Sequence, residues 1–374
     1  MLKKVLLGLS AVSMFVCAGE TFAHQVKKNH ATQENKQDGV LVIAHRGASA
    51  LRPEHTLASY QKAIEDGADI IEPDLVSTKD GVLIARHENE IGGTSNVSAL
   101  PIFAQRKTTK VIDGHTLEGW FTEDFTAKEI RQLKARERIP NIRPANTTFN
   151  DLYGIPTLDQ IIRLAERHYR KTGRVIGLYI ETKHPTYFAS QGLAMEDRLL
   201  KTLAKYKYTR DIAPVYLQSF EVTNLKYLKD RTKKYGIQHA KIIQLYDDPA
   251  IRPADFVKQD VATTYADLAT ANGLKQVATY ADGVGPSKGY IFNQATQQPT
   301  TYVADAHQAG LKVHPYTFRP ENNFLPENLK CSAVADQRCP TGSIKEIQQY
   351  IKLGIDGFFT DDSKLGREAI ATIK

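Results

Sequence analysis

Two histidines and three carboxylates stand at the ends of short apolar runs in the first half of this chain. His45 closes the run from Leu41 to Ala44, and His87 closes another that begins at Val82. Glu72 and Asp74 flank Pro73, and Lys183 follows Glu181 two positions later. Side chains of an extended strand alternate between faces, so Glu72 shares a face with Asp74, and Glu181 with Lys183. A proline between two carboxylates argues for a special strand end rather than the middle of a sheet. Each feature alone has an ordinary structural explanation, such as a hydrogen-bonded histidine or a solvated acid. Gathered at one face, these charges are costly to bury unless they are paired or bound to an ion.

The chemistry follows from the residue types. Glu72, Asp74 and Glu181 make an all-oxygen donor set suited to Ca²⁺ or Mg²⁺, and no cysteine lies near to favour zinc. Two histidines with ordinary pKa values of roughly 6.5 can serve as base and acid near neutral pH. Arg46 and Lys183 add fixed positive charge, and a guanidinium grips a phosphate through two hydrogen bonds. A cation site, two positive side chains and an acid–base pair fit cleavage of a phosphate ester better than of a peptide or a glycoside.

To reach one face these residues need a sheet whose strands all point the same way. Strands are predicted over 41–47, 69–76, 82–87, 175–183, 215–220, 241–246, 312–318 and 357–361, with helices between them at 56–66, 158–171, 222–235 and 344–353. Strands alternating with helices imply βαβ units and a parallel sheet. Eight of them suit an α/β fold of the closed (β/α)8 TIM-barrel type, whose sites form at the C-terminal strand ends. A doubly wound open sheet is the weaker alternative, because no glycine-rich dinucleotide fingerprint follows the first strand. The stretch 88–156 breaks the rhythm and is too long for a plain loop. It reads as an insertion folded over one barrel end, after the second-strand region, where it would shape the substrate pocket. A smaller excursion, 321–341, carries Cys331 and Cys339.

Composition sets the wider bounds. The chain has 374 residues, 41% hydrophobic and 24% charged, which excludes disorder, coiled coil and collagen as descriptions of the whole. Its net charge of +7 is spread along the sequence without a recognition module, so a nucleic-acid partner is not expected. Lys3 and Lys4, an apolar run over 5–18 and the small-x-small triplet ending at Ala23 have the order of a signal peptide over 1–23, with a polar leader over 24–38. Export would place the protein in the periplasm. Lipidation of Cys17 is disfavoured by the bulky Val16 before it, and no other segment reads as a membrane span. Cleavage would leave Cys331 and Cys339 as an even pair in an oxidising compartment, expected to form a disulfide. The oligomeric state is not legible.

The spaced motifs carry a resemblance. His45-Arg46-Gly47-Ala48, Pro53-Glu54-His55-Thr56, Glu72-Pro73-Asp74 and His87 resemble the opening signature of the glycerophosphodiester phosphodiesterases. Glu181-Thr182-Lys183, Leu217-Gln218-Ser219-Phe220 and Gly357-Phe358-Phe359-Thr360-Asp361 resemble that family's later blocks, in order, so that the likeness spans roughly 39–371. The insertion and Val313-His314-Pro315-Tyr316-Thr317 resemble its periplasmic bacterial branch. The resemblance implies a barrel over 39–374 that hydrolyses small glycerophosphodiesters such as glycerophosphocholine to sn-glycerol 3-phosphate and an alcohol. It implies Ca²⁺ on Glu72, Asp74 and Glu181, with Mg²⁺ as the alternative, and catalysis by His45 and His87 through a cyclic phosphate. It also implies that Arg46 and Lys183 hold the phosphate, that Glu54 orders the metal and glycerol end, and that Gln218 and Tyr316 touch substrate. His55 and Tyr316 depart from the wider family, which has Asn and often Trp there; both are read as tuning the glycerol pocket. The rival readings are a phospholipase D-like lyase on the same barrel and a surface binding protein without activity.

Overall fold

The computed structural model describes residues 39–293, 296 and 298–373. The predicted signal peptide, the polar leader and Cys17 lie outside the described residues. In chain order the strands are β1 (Leu41–His45), β2 (Ile70–Glu72), β3 (Asp74–Ser77), β4 (Leu83–Ala85), β5 (Thr108–Ile112), β6 (His115–Gly119), β7 (Gly177–Thr182), β8 (Val215–Ser219), β9 (Lys241–Tyr246), β10 (Gly283–Pro286), β11 (Phe292–Asn293), β12 (Gln298–Pro299), β13 (Lys312–Val313) and β14 (Gly357–Thr360). Eight of them pair in the order β13-β10-β9-β8-β7-β2-β1-β14, every pair parallel. Backbone hydrogen bonds from Asp356 to Val313, Phe359 to Pro315 and Phe318 to Phe359 bring the two ends together. The result is an α/β barrel of the TIM type.

Strand alternation decides which side chains enter the barrel. Leu41, Ile43, Ile70, Tyr179, Ile243 and Phe359 pack on one another as an interior cluster. Val42, Ala44, Ile71, Leu178 and Leu217 belong instead to the larger core that includes the helices. Continuing the same period of two brings His45, Glu72 and Glu181 inward at the C-terminal ends. A representative outer helix, Leu158–Thr172, is started by a Thr157/Gln160 capping box and ended by Gly173 in the left-handed region, and buries Leu158, Ile161, Ile162 and Ala165 against the sheet.

Two strand expectations need correction. The run 82–87 is not part of the wall: β4 pairs antiparallel with β3, the extension of β2 beyond Pro73. Its place in the wall is taken by β10, which lies in Gly-Val-Gly-Pro and carries almost no β signature. Glycines serve there because a Cβ on Gly283 would come within 2.9 Å of Ile243, and one on Gly285 within 2.5 Å of Leu245. Periodicity cannot register a strand whose side chains are deleted to make room for neighbours.

Between β4 and the helix Leu158–Thr172 the chain forms the β5–β6 hairpin, short turns of 3₁₀-helix and the one-turn helix Ala127–Ile130. Its Ile91, Val97, Phe103, Phe125, Ile130 and Leu133 join the main core. The excursion before the last helix is closed by a Cys331–Cys339 disulfide with Cα atoms 5.6 Å apart. Among the described residues no helix is long and apolar enough to cross a membrane.

Candidate active site

Backbone register assembles the acidic centre. His45 lies opposite Glu72 across β1 and β2, Asp74 opposite Glu181 across β3 and β7, and Glu181 opposite Gln218 across β7 and β8. Oxygens of Glu72, Asp74 and Glu181 fall within 4.8 Å of one another, and all three side chains are buried. Pro73, which can donate no ladder bond, accepts one from Glu181 N at 3.0 Å and marks the bend that turns both neighbouring carboxylates to the same side. Arg46 and Gly47 follow β1 in the left-handed region, at φ 58° and 88°. A Cβ on Gly47 would lie 2.7 Å from the Ser59 backbone, so only glycine fits that turn. The turn aims Arg46 N at Glu72, at 2.8 Å.

His87 arrives by a different route. The β3–β4 hairpin runs out beyond the barrel and back, and Arg86 N bonds Asp74 O at 3.1 Å. That return places His87 Nε2 3.2 Å from Lys183 Nζ, which in turn contacts Glu181 at 2.8 Å. Together these residues line a cavity of about 100 Å³ that also includes Gln218, Phe220, Tyr316, Arg319 and Phe359.

Electrostatics in the cavity are those of crowded, buried carboxylates. Burial and the adjacent Asp74 push the Glu72 carboxyl well above its ordinary range, and burial raises Glu181 to about 8. Burial opposes ionisation of Asp74 too, but Lys183 and His55 hold it well below that range. Gln218 Nε2 donates to Glu72 at 3.1 Å, while its buried Oε1 has no hydrogen-bond partner. Three clustered carboxylates with a spare amide oxygen fit a divalent cation that prefers oxygen ligands. Burial, with Arg46 next, lowers His45 to about 4; burial, Arg46 and Lys183 lower His87 to about 3. Both imidazoles are therefore neutral at physiological pH in the free protein.

The remaining expected residues are distributed unevenly. Gln218 and Tyr316 line the cavity, and Tyr316 Oη donates to Tyr246 O at 2.5 Å. Glu54 lines an adjoining cavity with His45, Arg46 and Arg319, paired to Arg46 Nη1 at 3.1 Å and to Arg138 at 2.6 and 2.9 Å. His55, read above as tuning the glycerol pocket, is wholly buried away from it, between Asp74 at 2.8 Å and Tyr60 Oη at 2.7 Å. The insertion 88–156 supplies Glu137, Arg138, Ile139 and Arg143 to an adjoining cavity that they line with His45, Arg46 and Arg319, and its Glu88, Arg138 and Arg143 pair with groups around the site. The sequence reading missed Asp361 as a site residue, along with Arg319 and those three. Asp361 closes a recognised motif, but Arg138 and Arg143 lie in a segment without periodicity and carried no signal.

A barrel with carboxylates, histidines and cations converging on its C-terminal mouth defines a hydrolytic class of site, and comparison narrows it. Residues 45–365 match the model of the glycerophosphoryl diester phosphodiesterase family. The chain is 34% identical to a glycerophosphodiester phosphodiesterase of Arabidopsis thaliana, over 96% of this chain and 94% of that one. It is 30% identical to the Haemophilus influenzae enzyme of the same name, over 98% and 99%. Two solved structures share the fold. A glycerophosphoryl diester phosphodiesterase of Silicibacter pomeroyi superposes with a TM-score of 0.60 at 19% identity, over 89% of this chain and 93% of that one. A phosphodiesterase of Oleispira antarctica, solved with the product sn-glycerol-3-phosphate, gives 0.54 at 17% identity, over 89% and 97%. The chain belongs to the glycerophosphoryl diester phosphodiesterase family. Its activity is that of a glycerophosphodiester phosphodiesterase.

Proposed function

We propose that the protein is an exported, metal-dependent hydrolase that cleaves glycerophosphodiesters to sn-glycerol 3-phosphate and an alcohol, using His45 and His87 and a cyclic phosphate intermediate. The observation that carries this reading is one small cavity lined by three carboxylates, two neutral histidines and the cationic side chains Arg46, Lys183 and Arg319. Glu72, Asp74 and Glu181 would hold Ca²⁺, or Mg²⁺ in its place, and the ion would supply charge neutralisation at the phosphate oxygens. Arg46 Nε, 3.4 Å from Asp74 and without a hydrogen bond, retains a donor for a phosphate oxygen, as does the Lys183 ammonium. His45, whose Nδ1 faces Asp361, has its Nε2 lone pair available to take the proton of the substrate's 2-hydroxyl as that oxygen attacks phosphorus. The leaving alcohol takes its proton from His87; the arriving phosphodiester anion offsets Arg46 and Lys183 and favours the charged imidazole that this needs. Water then opens the cyclic phosphate, with the two histidines exchanging roles. Phe220, Tyr316 and Phe359 form an uncharged wall for the carbon portions of the substrate. The disulfide supports an oxidising compartment.

The test is coupled detection of glycerol 3-phosphate from glycerophosphocholine, with Ca²⁺ and with EDTA. Release that EDTA abolishes and Ca²⁺ restores is expected. No release under either condition, with a persistent cyclic phosphate in the phosphorus NMR spectrum, would instead identify the lyase.

A further inference from the structure

Each histidine of the site is backed by a carboxylate, and each carboxylate by an arginine of the insertion. His45 Nδ1 lies 2.6 Å from Asp361 Oδ1, and Asp361 Oδ2 accepts from Arg143 Nη2 at 2.5 Å. His87 Nδ1 contacts Glu88 Oε1, and Arg138 reaches the two Glu88 oxygens at 2.9 and 2.6 Å. Against the cost of burial, Arg143 and His45 hold Asp361 well below the carboxylate range. Glu88 is likewise held down, by His87 and Arg138. An ionised carboxylate only accepts, so the proton of each neutral imidazole must sit on Nδ1. This leaves each Nε2 an acceptor: that of His45 faces the cavity, and that of His87 meets Lys183 Nζ at 3.2 Å.

The arginines are themselves fixed on two sides. Arg143 bonds Glu321 at 2.8 and 3.1 Å and the Ser49 carbonyl at 2.9 Å. Arg138 forks onto Glu54 as well as Glu88. Both belong to one loop, which Glu137 ties to Ile139 N and to Asn146, each at 2.9 Å. Such bidentate pairs set direction as well as distance.

We propose that Asp361 and Glu88 are positioning residues that select the reactive tautomer of His45 and His87, and that Arg143 and Arg138 of the insertion hold them in place. The insertion thereby becomes a part of the catalytic apparatus. This rests on the catalytic reading of the two histidines given above.

The experiment compares steady-state kinetics of the Ca²⁺-loaded full chain on glycerophosphocholine for Asp361→Asn, Glu88→Gln, His45→Ala and the His45→Ala/Asp361→Asn double variant. Asp361→Asn is nearly isosteric and should lower kcat by about 10²–10³-fold with little change in KM, within the range of an acid–base contribution. Glu88 is partly exposed, and its variant should lose about 10-fold, a usual effect for a group that orients another. In the His45→Ala background Asp361→Asn should cause no further loss, because residues acting as a unit are not additive. Nitrogen-15 NMR of the imidazoles should show His45 protonated on Nδ1 in the wild type and redistributed in Asp361→Asn. Should that variant not fold, Arg143→Lys, which keeps charge but loses the fork, carries the same test of kcat, KM and non-additivity. An equal loss with and without His45, or wild-type kcat in Asp361→Asn, overturns the positioning role while leaving the catalytic histidines intact. Full turnover in His45→Ala overturns the catalytic reading itself, and the positioning role with it.

Discussion

The strand ends and the insertion serve the same site by opposite means. On the strands, position is set by backbone register: Asp74, Glu181 and Gln218 stand side by side because their ladders leave them no alternative. In the insertion, Arg138 and Arg143 sit on an irregular loop, and their place is set by ion pairs to Glu54, Glu88, Glu321 and Asp361. The strands contribute groups that line the cavity; the loop contributes groups that hold other side chains. Register tolerates sequence change on the outer face of the barrel. The Arg143 pairs to Glu321 and Asp361, buried away from water, do not tolerate loss of one partner, which leaves an uncompensated charge.

The sharpest contrast should come from the acidic centre. Glu72→Gln, which removes one oxygen ligand and keeps the shape, should abolish Ca²⁺ binding by calorimetry and bring glycerol 3-phosphate release to background. Undiminished binding would move the cation elsewhere and break the distinction between reacting and supporting residues. A smaller effect is expected at the excursion that carries Glu321. Replacing Cys331 and Cys339 together by Ser should lower stability by about 2–3 kcal/mol in denaturant melts, as for other short closed loops. Turnover of the folded fraction should fall less than in Asp361→Asn. A larger fall would mean that the disulfide fixes Glu321, and through it the histidine.

The smallest effect is a pH dependence where strand and insertion meet. Glu221, just beyond β8, accepts from Thr186 N at 3.2 Å, and burial with nearby Asp255 and Asp113 raises its pKa from 4.5 to about 8. Its folded pKa is raised, so the stability it contributes is fully present below 4.5 and is lost as pH rises through about 8. Thermal melts should show Glu221→Gln losing less stability than the wild type between pH 6 and pH 9, roughly the upper part of that window. Parallel melting curves would show that Glu221 is ionised in the fold.

Much of this was legible beforehand. His45, Glu72, Asp74, Glu181 and Lys183 could be placed on one face from alternation alone, because a strand has a period of two and each of these follows an apolar run. His87 was named from the same pattern yet reaches the cavity by an antiparallel return, so its residue type was informative and its assumed strand was not. His55 sits in a motif that the resemblance assigns to the glycerol pocket, but burial places it between Asp74 and Tyr60.

What the amino-acid sequence determined by itself was therefore the barrel and the reactive set, since periodicity and local motif are properties of neighbouring residues. Tertiary structure alone decided which groups stand behind that set. Asp361 meets His45 across 316 positions and Arg143 meets Asp361 across 218, distances over which no local pattern can act. Only the closed barrel, with the insertion packed into its core, brings those charges within hydrogen-bonding reach.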